Sequence, residues 1–589
     1  MQKNLAEGIT WDLSDLYSGP SDPRIEADSR WLKGRLSEFS SYRGKVAELG
    51  PQGLLQALRM LEEIYECVEK LLAYAYLDFS TRTLDAGASA FFQSMKELYA
   101  QVDRDTLFLR LEWTRLEEGP AGGLASSAAL SKYAHYLAAL RRYRPHHLSE
   151  AEEKILAEKS PAGSSAWGAL FDKMLGQLRF GEKKRTQSEV LAGLYSVSRD
   201  ERKTAAVELS EGLQTVLVPL THIFNTLILD KSIDDRLRGY PHWLSSRNLE
   251  NEIGDATVHA LVSAVCSRYD LVERYYLLKK KLLGYDELFD YDRYAPVQAP
   301  AGAGISWDEA REIVLGSFED FSSETAKIAR LFFEKGWVHG AVLPGKRGGA
   351  YSHPVVPAAH PYIFLNFTGS RRDVMTLAHE LGHGIHQYLA RRQGLLNSNT
   401  PLTIAESASI FAEMLVFRSL LKRTGSKEER LGLICSRIED IFATVFRQVA
   451  MNRFEERVHN ARRTQGELDA EFISSAWMET QAEMFGNSVR LLDHYRTWWS
   501  YIPHFVHSPG YVYAYAFGEL LTAALYEQYL GEGPDFVPAY LEFLGAGGKA
   551  EPCELLRPLG VDPTAGGFWE RGIQMTESLV EEAEKEASL

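Results

Sequence analysis

Residues 379 to 383 read His379-Glu380-Leu381-Gly382-His383, and this pattern constrains the chain more than any other. Two imidazoles four residues apart lie one above the other only on a helix, where both can reach one tetrahedral metal ion while the intervening carboxylate stands beside the ion's open position. The flanking residues supply such a helix. Ser370 can cap its N-terminus with Asp373 three residues on, Val374, Leu377, Ala378 and Leu381 form an apolar side, and Gly394 can close the C-terminus. Taken alone, the pattern also fits two histidines in an ordinary core helix, so the rest of a site has to be found elsewhere. A metzincin would place Gly three residues and His six residues after His383; His386 and Leu389 stand there, which excludes that class.

A third ligand should come from another helix, and the segment Thr400 to Glu413 offers one. Thr400 and Pro401 read as N-cap and first helical residue, and the loop through Gly394, Asn397 and Asn399 is short enough to return this helix beside the first. Glu406 then lies one to two turns in, and Glu413 follows seven residues later on the same face, suited to accept the far ring N–H of a metal-bound histidine. The alternative for Glu406 is a capping carboxylate reaching back to Thr403. Ile404, Ala405, Ala408, Ile410 and Phe411 imply a buried face, where an unpaired carboxylate is costly, and this favours the ligand. His386, two turns from His379, reads as a satisfied neighbour, because a fourth protein ligand would leave no place for water.

Composition narrows the function class. The 589 residues carry 65 Lys plus Arg against 80 Asp plus Glu, a net charge of −15, which repels phosphate backbones and argues against nucleic-acid binding. The run Lys279-Lys280-Lys281 lies among leucines and reads as a solvated helix face rather than a basic patch. Cys67, Cys266, Cys435 and Cys553 show no paired spacing and are expected to be buried reduced thiols, consistent with a cytoplasmic protein. The N-terminus lacks the basic start and apolar run of a signal peptide, and no stretch reaches about 18 uninterrupted apolar residues, so no membrane span is expected.

Helical periodicity dominates the first half, as in Leu54, Leu58, Leu61, Ile64, Val68 and Leu71. Loops are expected at Gly119 to Gly123, Ser160 to Ser165 and Pro296 to Gly304. Between Gly336 and Phe367 the gathering of Gly, Pro, β-branched and aromatic residues predicts a small sheet, whose strand from Tyr362 to Phe367 could offer an edge to an extended peptide. Within that stretch Gly340 to Lys346 fits a phosphate-loop pattern, but Arg347 replaces the hydroxyl residue that would hold Mg²⁺ and no helix follows, so nucleotide hydrolysis is rejected.

The segment Tyr501 to Tyr515 concentrates His504, His507 and four tyrosines around a Pro509-Gly510 turn. On a helix beginning near Gly510, Tyr511 and Tyr515 share a face while Tyr513 points elsewhere and reads as core. Phenol and imidazole donors aimed at a carbonyl oxygen are what a developing oxyanion needs.

The extended motif His379-Glu380-Leu381-Gly382-His383-Gly384-Ile385-His386-Gln387, followed by Ala405-Glu406-Ser407, resembles the thimet oligopeptidase group of zinc peptidases, and within it the oligoendopeptidase F branch. Trp11 to Tyr17, Asp290 to Pro296 and Phe364 to Thr368 add supporting matches along most of the chain. The resemblance implies a gluzincin with one zinc ion per chain held by His379, His383 and Glu406, with Glu380 as catalytic base. It implies a loop closing over the scissile peptide, in which His507, Tyr511 and Tyr515 are expected to be catalytic, with His504 and Gly510 binding substrate. Which of the two histidines faces the substrate stays open. The implied fold is mainly α, a large two-lobed, neurolysin-like helical body with a deep central channel and a small β-sheet near the zinc. An N-terminal helical domain over 1–200 would form the lid, 201–580 the catalytic domain and 581–589 an acidic tail. The implied activity is hydrolysis of internal bonds in short unfolded peptides. The alternatives are removal of C-terminal dipeptides, and a catalytically silent zinc-containing scaffold that binds peptides. The oligomeric state is not readable.

Overall fold

The computed structural model describes residues 5–298 and 304–588; the expected loop from Pro296 to Gly304 lies partly outside them. The chain is mainly helical, with one three-stranded sheet in the order β1 (Val338–His339), β3 (Tyr362–Phe364), β2 (Tyr351–His353). It forms two compact units, each assembled from three stretches of chain. The first comprises Met1–Arg144, Ala303–Lys422 and Gln528–Val561, the second Pro145–Gly302, Arg423–Glu527 and Asp562–Leu589. Compactness therefore groups residues differently from a consecutive division at residue 200.

In the first unit, helix Pro51–Thr81 starts with Pro at its first position, where a missing N–H costs nothing. Its residues Leu54, Leu58, Leu61, Ile64, Val68 and Leu71 recur at helical spacing and are buried in the core. Helices Trp307–Phe321 and Ser323–Glu334 lead into the sheet, and helix Arg371–Ala390 follows it. Strand β3 pairs parallel with β1 and antiparallel with β2. The expectation that the Tyr362 strand offers a free edge is thus corrected: it is central, because Leu365 and Phe367 also donate backbone N–H groups to His339 and Gly340. The N-terminal motif is built into this sheet. Trp11 packs against His339, Tyr362 and Phe364, the Asp12 N–H donates to the Gly336 carbonyl at 2.7 Å, and Tyr362 donates its hydroxyl to the Asp12 carbonyl.

The residues Gly119 to Gly123 fall inside a helix, Glu118–Ala125, rather than in a loop. Pro120 sits in its first turn, where proline is tolerated, and Ala121 is buried. The Gly340 to Lys346 loop has its lysine engaged by the protein itself. Lys346 turns inward and donates Nζ hydrogens to the Ala341 and Leu365 carbonyls at 2.7 and 2.6 Å, with Nζ 2.9 Å from His339 Nδ1.

In the second unit, Lys279 is buried rather than solvated, and its Nζ donates to the Arg293 carbonyl and to Glu439, each at 2.6 Å. The middle motif forms a buried network in which Asp290 holds His494 and Asp292 holds Arg199 and Arg202. The acidic residues from Glu581 belong to the last turns of helix Gly566–Ser588, where Glu584 pairs with Arg274 and Glu586 with Arg430. Among the described residues no single helix is long and apolar enough to cross a membrane. Helices Arg199–Thr215 and Leu217–Leu237 pass such a test only as a pair bent by 70°, and their Leu209, Leu213, Leu220 and Phe224 are buried in this unit's core. The four cysteines are free thiols, of which only Cys435 is fully buried.

Candidate metal centre

Ser370 caps helix Arg371–Ala390 by accepting from the Asp373 N–H, while the Asp373 carboxylate returns to Ser370 N–H and also accepts from Thr368 N–H and Oγ. Val374, Leu377, Ala378 and Leu381 are fully buried, so the helix cannot rotate without exposing them. This locks His379 and His383 onto one side with ring centroids 4.8 Å apart. The helix ends at Ala390, and a short turn Arg391–Gln393 closes on Gly394 at φ +79°.

Glu406 arrives differently from expectation. The segment after Pro401 is not one continuous helix: a short turn Leu402–Ala405 ends at Glu406, and a new helix Ser407–Arg423 begins after it. The Glu406 carbonyl accepts from the Ile410 N–H, so this residue caps the second helix while its side chain faces the histidines. Glu406 Oε2 lies 3.5 Å from His379 Nε2 and 3.3 Å from His383 Nε2. Metal–ligand bonds of about 2.0–2.1 Å in a tetrahedral site put ligand atoms about 3.3 Å apart, and this N₂O donor set fits that spacing. Among the described residues these three form the one group of His, Cys, Asp or Glu side chains placed to hold a metal ion. Thr403 is not the partner of Glu406; the Ser409 hydroxyl donates to its Oε2 at 2.7 Å.

Glu413 Oε1 lies 2.7 Å from His379 Nδ1, so Nδ1–H donates to it, and Nε2 is the ring nitrogen turned toward Glu406. Burial opposes charge on His379, but Glu413, Glu406 and Glu380 outweigh it and hold the imidazole up at about 9. Burial alone would raise Glu406; the two histidines and Ser409 bring it down to about 2, keeping it ionised. Glu380 is buried beside the pair, and burial lifts its carboxyl above the usual range while the histidines partly oppose this. A carboxylate shifted toward neutrality is suited to exchange a proton with water. His386 is fully buried, lies 3.3 Å from Thr400 Oγ and is not part of the donor group.

One determinant had no signal in residue chemistry. At Gly382 a Cβ would stand 2.5 Å from the Ala408 carbonyl oxygen and 2.6 Å from Ser409 Cα. The helix carrying the histidines therefore touches the backbone beside Glu406, and that contact sets the distance from Glu406 to the imidazoles. Gly382→Ala is expected to cost about 1–3 kcal/mol of stability by overpacking and to weaken metal binding at least about tenfold, read by thermal unfolding and metal titration. Unchanged affinity would mean the close approach does not set the ligand distance.

In the second unit the structure does not bring His507 together with Tyr511 and Tyr515, as expected, but His504. His504 Nε2 lies 3.0 Å from the Tyr515 hydroxyl, and the rings of Tyr511 and Tyr515 meet edge to face at 5.1 Å. His507 lies at the far end of the short helix His504–His507 and is held by Asp172 at 2.9 Å. Gly510, at φ +75°, reverses the chain so that the start of helix Tyr513–Glu532 returns past His504. Burial, with Arg447 nearby, lowers the His504 pKa and favours its neutral form. Tyr513 is buried and bonded to Asn248 and Asn251, a core residue as its position predicts.

Residues 193–575 match the model of peptidase family M3, and residues 112–180 that of the oligopeptidase F N-terminal family. The chain is 29% identical to the oligopeptidase PepF of Bacillus subtilis over 98% of its length and 87% of the relative's. It is 26% identical to the plasmid oligoendopeptidase F of Lactococcus lactis subsp. cremoris, over 99% of both. Among solved structures, a Chlamydophila abortus protein superposes at a TM-score of 0.88 with 25% identity over 100% of both chains. The oligoendopeptidase F of Enterococcus faecium superposes at 0.72 with 22% identity, over 96% of this chain and 99% of that one.

Proposed function

Because the chain belongs to peptidase family M3 and is a metallopeptidase, we propose that its metal is zinc, one ion per chain, and that it hydrolyses internal bonds of short unfolded peptides. The observation carrying this reading is the spacing of His379, His383 and Glu406, with Glu380 buried between the two histidines on the same helix. Curated relatives that match nearly the whole chain are named oligoendopeptidases, which supports endoproteolysis.

When bound, zinc supplies Lewis acidity, which brings the pKa of a water toward neutrality and polarises a carbonyl. His379, His383 and Glu406 would hold the ion, and Glu413 accepts from the His379 Nδ1–H. A Glu380 carboxylate oxygen takes the proton from the attacking water and delivers it to the leaving amine nitrogen. Tyr511, Tyr515 and neutral His504 donate O–H and N–H groups to the developing oxyanion. We assign this role to His504 in place of His507, since His504 stands with the tyrosines while His507 is engaged by Asp172. Gly510 acts through its turn.

The assignment predicts a contrast between the two histidines. His504→Ala should lower kcat by about 10²–10³-fold, whereas His507→Ala should stay within about threefold of wild type, both measured on an internally quenched peptide. The reverse order would return the role to His507. Mass-spectrometric mapping of cleavage on one peptide with free and amidated C-termini tests the reaction class: cuts at internal bonds of both forms support an endopeptidase, and cleavage only of the free form, two residues from its end, would support a peptidyl-dipeptidase. A stoichiometric zinc without any cleavage would leave a peptide-binding scaffold.

The positions of the two family models support keeping residues 1–200 as an N-terminal module and 201–580 as the catalytic one. Free thiols support a cytoplasmic setting, and the net charge of −15 supports peptides rather than nucleic acid as partners.

A further inference from the structure

Gly510 is the pivot of the segment that bears His504, Tyr511 and Tyr515, and its backbone N–H donates to Glu455 Oε1 at 2.8 Å. Its left-handed φ of +75° places the backbone where a Cβ would stand 2.6 Å from Leu244 Cδ1, so the turn is pressed onto its surroundings. Glu455 lies on helix Arg447–Gln465 and is fully buried, which is costly for a carboxyl unless it serves as a hydrogen-bonding partner. Three residues beyond Gly510, the Tyr513 hydroxyl donates to Asn248 Oδ1 and accepts from Asn251 Nδ2, both at 2.8 Å. The chain on either side of Tyr511 is thus fastened at residues 510 and 513, through the Gly510 N–H and the Tyr513 phenol.

We propose that Glu455 is a positioning residue for peptide hydrolysis: by clamping the Gly510 N–H it fixes the direction of the Tyr511 phenol and its register with His504 and Tyr515. This rests on the reading that those rings serve the developing oxyanion. A donor misplaced by about 1 Å forfeits a large part of transition-state stabilisation, on the order of 10²-fold, while substrate binding in the ground state is much less affected. Burial holds Glu455 up at about 8, against the opposing pull of the Gly510 N–H, Arg247 and Lys231, so a neutral amide is its close mimic. Glutamine presents the same acceptor oxygen at the same reach. Methionine has similar length and no acceptor there.

The test compares Glu455→Gln, Glu455→Met and Tyr511→Phe in the full-length zinc-loaded enzyme, with kcat and KM on an internally quenched peptide, zinc content and unfolding midpoint. Glu455→Gln is expected within about threefold of wild-type kcat, and Glu455→Met to lose about 10–100-fold in kcat, with KM within about threefold and one zinc retained. Glu455→Met with wild-type kcat while Tyr511→Phe is impaired would overturn the proposal and leave the oxyanion reading standing. Loss of kcat in Glu455→Gln equal to that in Glu455→Met would overturn it too, since the acceptor would then not be what matters. If Tyr511→Phe keeps its kcat, the oxyanion reading itself fails and the proposal with it. Should Glu455→Met not fold, Glu455→Asp, which withdraws the acceptor by about 1.5 Å, decides: kcat falls by the same factor or the clamp is refuted.

Discussion

Glu380→Gln is expected to abolish measurable peptide hydrolysis, lowering kcat by about 10⁴-fold, while the protein still binds one zinc ion and unfolds at the wild-type temperature. The magnitude follows from the proton: an amide oxygen cannot accept it from water, and general-base catalysis supplies about 10²–10⁴-fold, or about 3–5 kcal/mol at 1.36 kcal/mol per decade. Zinc retention follows from geometry, since Glu380 is outside the donor group of His379, His383 and Glu406. Its burial adds a second reason for a clean effect: glutamine matches the buried carboxyl in size and creates no cavity. Turnover above about 1% of wild type, with zinc content confirmed by elemental analysis, would remove Glu380 from the role of base.

Glu406→Gln should have an equally large effect on activity by a different route. The carboxylate stands 3.3 and 3.5 Å from the two imidazoles and is held ionised at about 2, so it supplies the only protein anion in the donor group. Its amide replacement is expected to leave less than about 0.1 zinc per chain after dialysis and no hydrolysis, with the lost metal also lowering thermal stability through linkage. Glu413→Gln is the matched control. It alters the partner of His379 Nδ1 and leaves the donor atoms in place, and about 10–100-fold weaker zinc binding with activity rescued by excess zinc is the expected outcome. Full zinc retention in Glu406→Gln would show that the ion is held without it.

These two expectations differ in how far they could be read from residues. The helix bearing His379, Glu380 and His383 was legible because everything that makes it is local. The Ser370 cap, the Asp373 return bond and the stripe from Val374 to Leu381 all lie within one helix, and a period of 3.6 residues carries the geometry. Glu406 was legible as a candidate from its apolar setting, but not its place between two helices. Its distance to the imidazoles depends on the close approach at Gly382, a contact between residues 26 positions apart that no periodicity reports.

The same limit explains the corrections. His504 and His507 are chemically alike in sequence, and only the Gly510 reversal and the position of Asp172 separate them. Lys279 opens a basic run that looks solvated, yet Glu439 and the Arg293 carbonyl, brought from distant segments, make its burial tolerable. Gly119 to Gly123 carries every mark of a loop, and still forms a helix because Pro120 falls where proline does no harm and Ala121 finds a core to enter. The strand at Tyr362 was recognisable, but whether it is an edge depends on which strands flank it.

By itself the sequence determined the mainly helical class, the helix that carries His379, Glu380 and His383, and which side chains, Glu406 among them, are candidates to ligate a metal. Those follow from local periodicity and from which atoms can ligate. Tertiary structure alone decided which histidine joins the tyrosines, where Glu406 stands and which buried groups fasten the Gly510 turn, because each is a distance between segments far apart in the chain, set by packing and backbone reversal rather than by neighbouring residues.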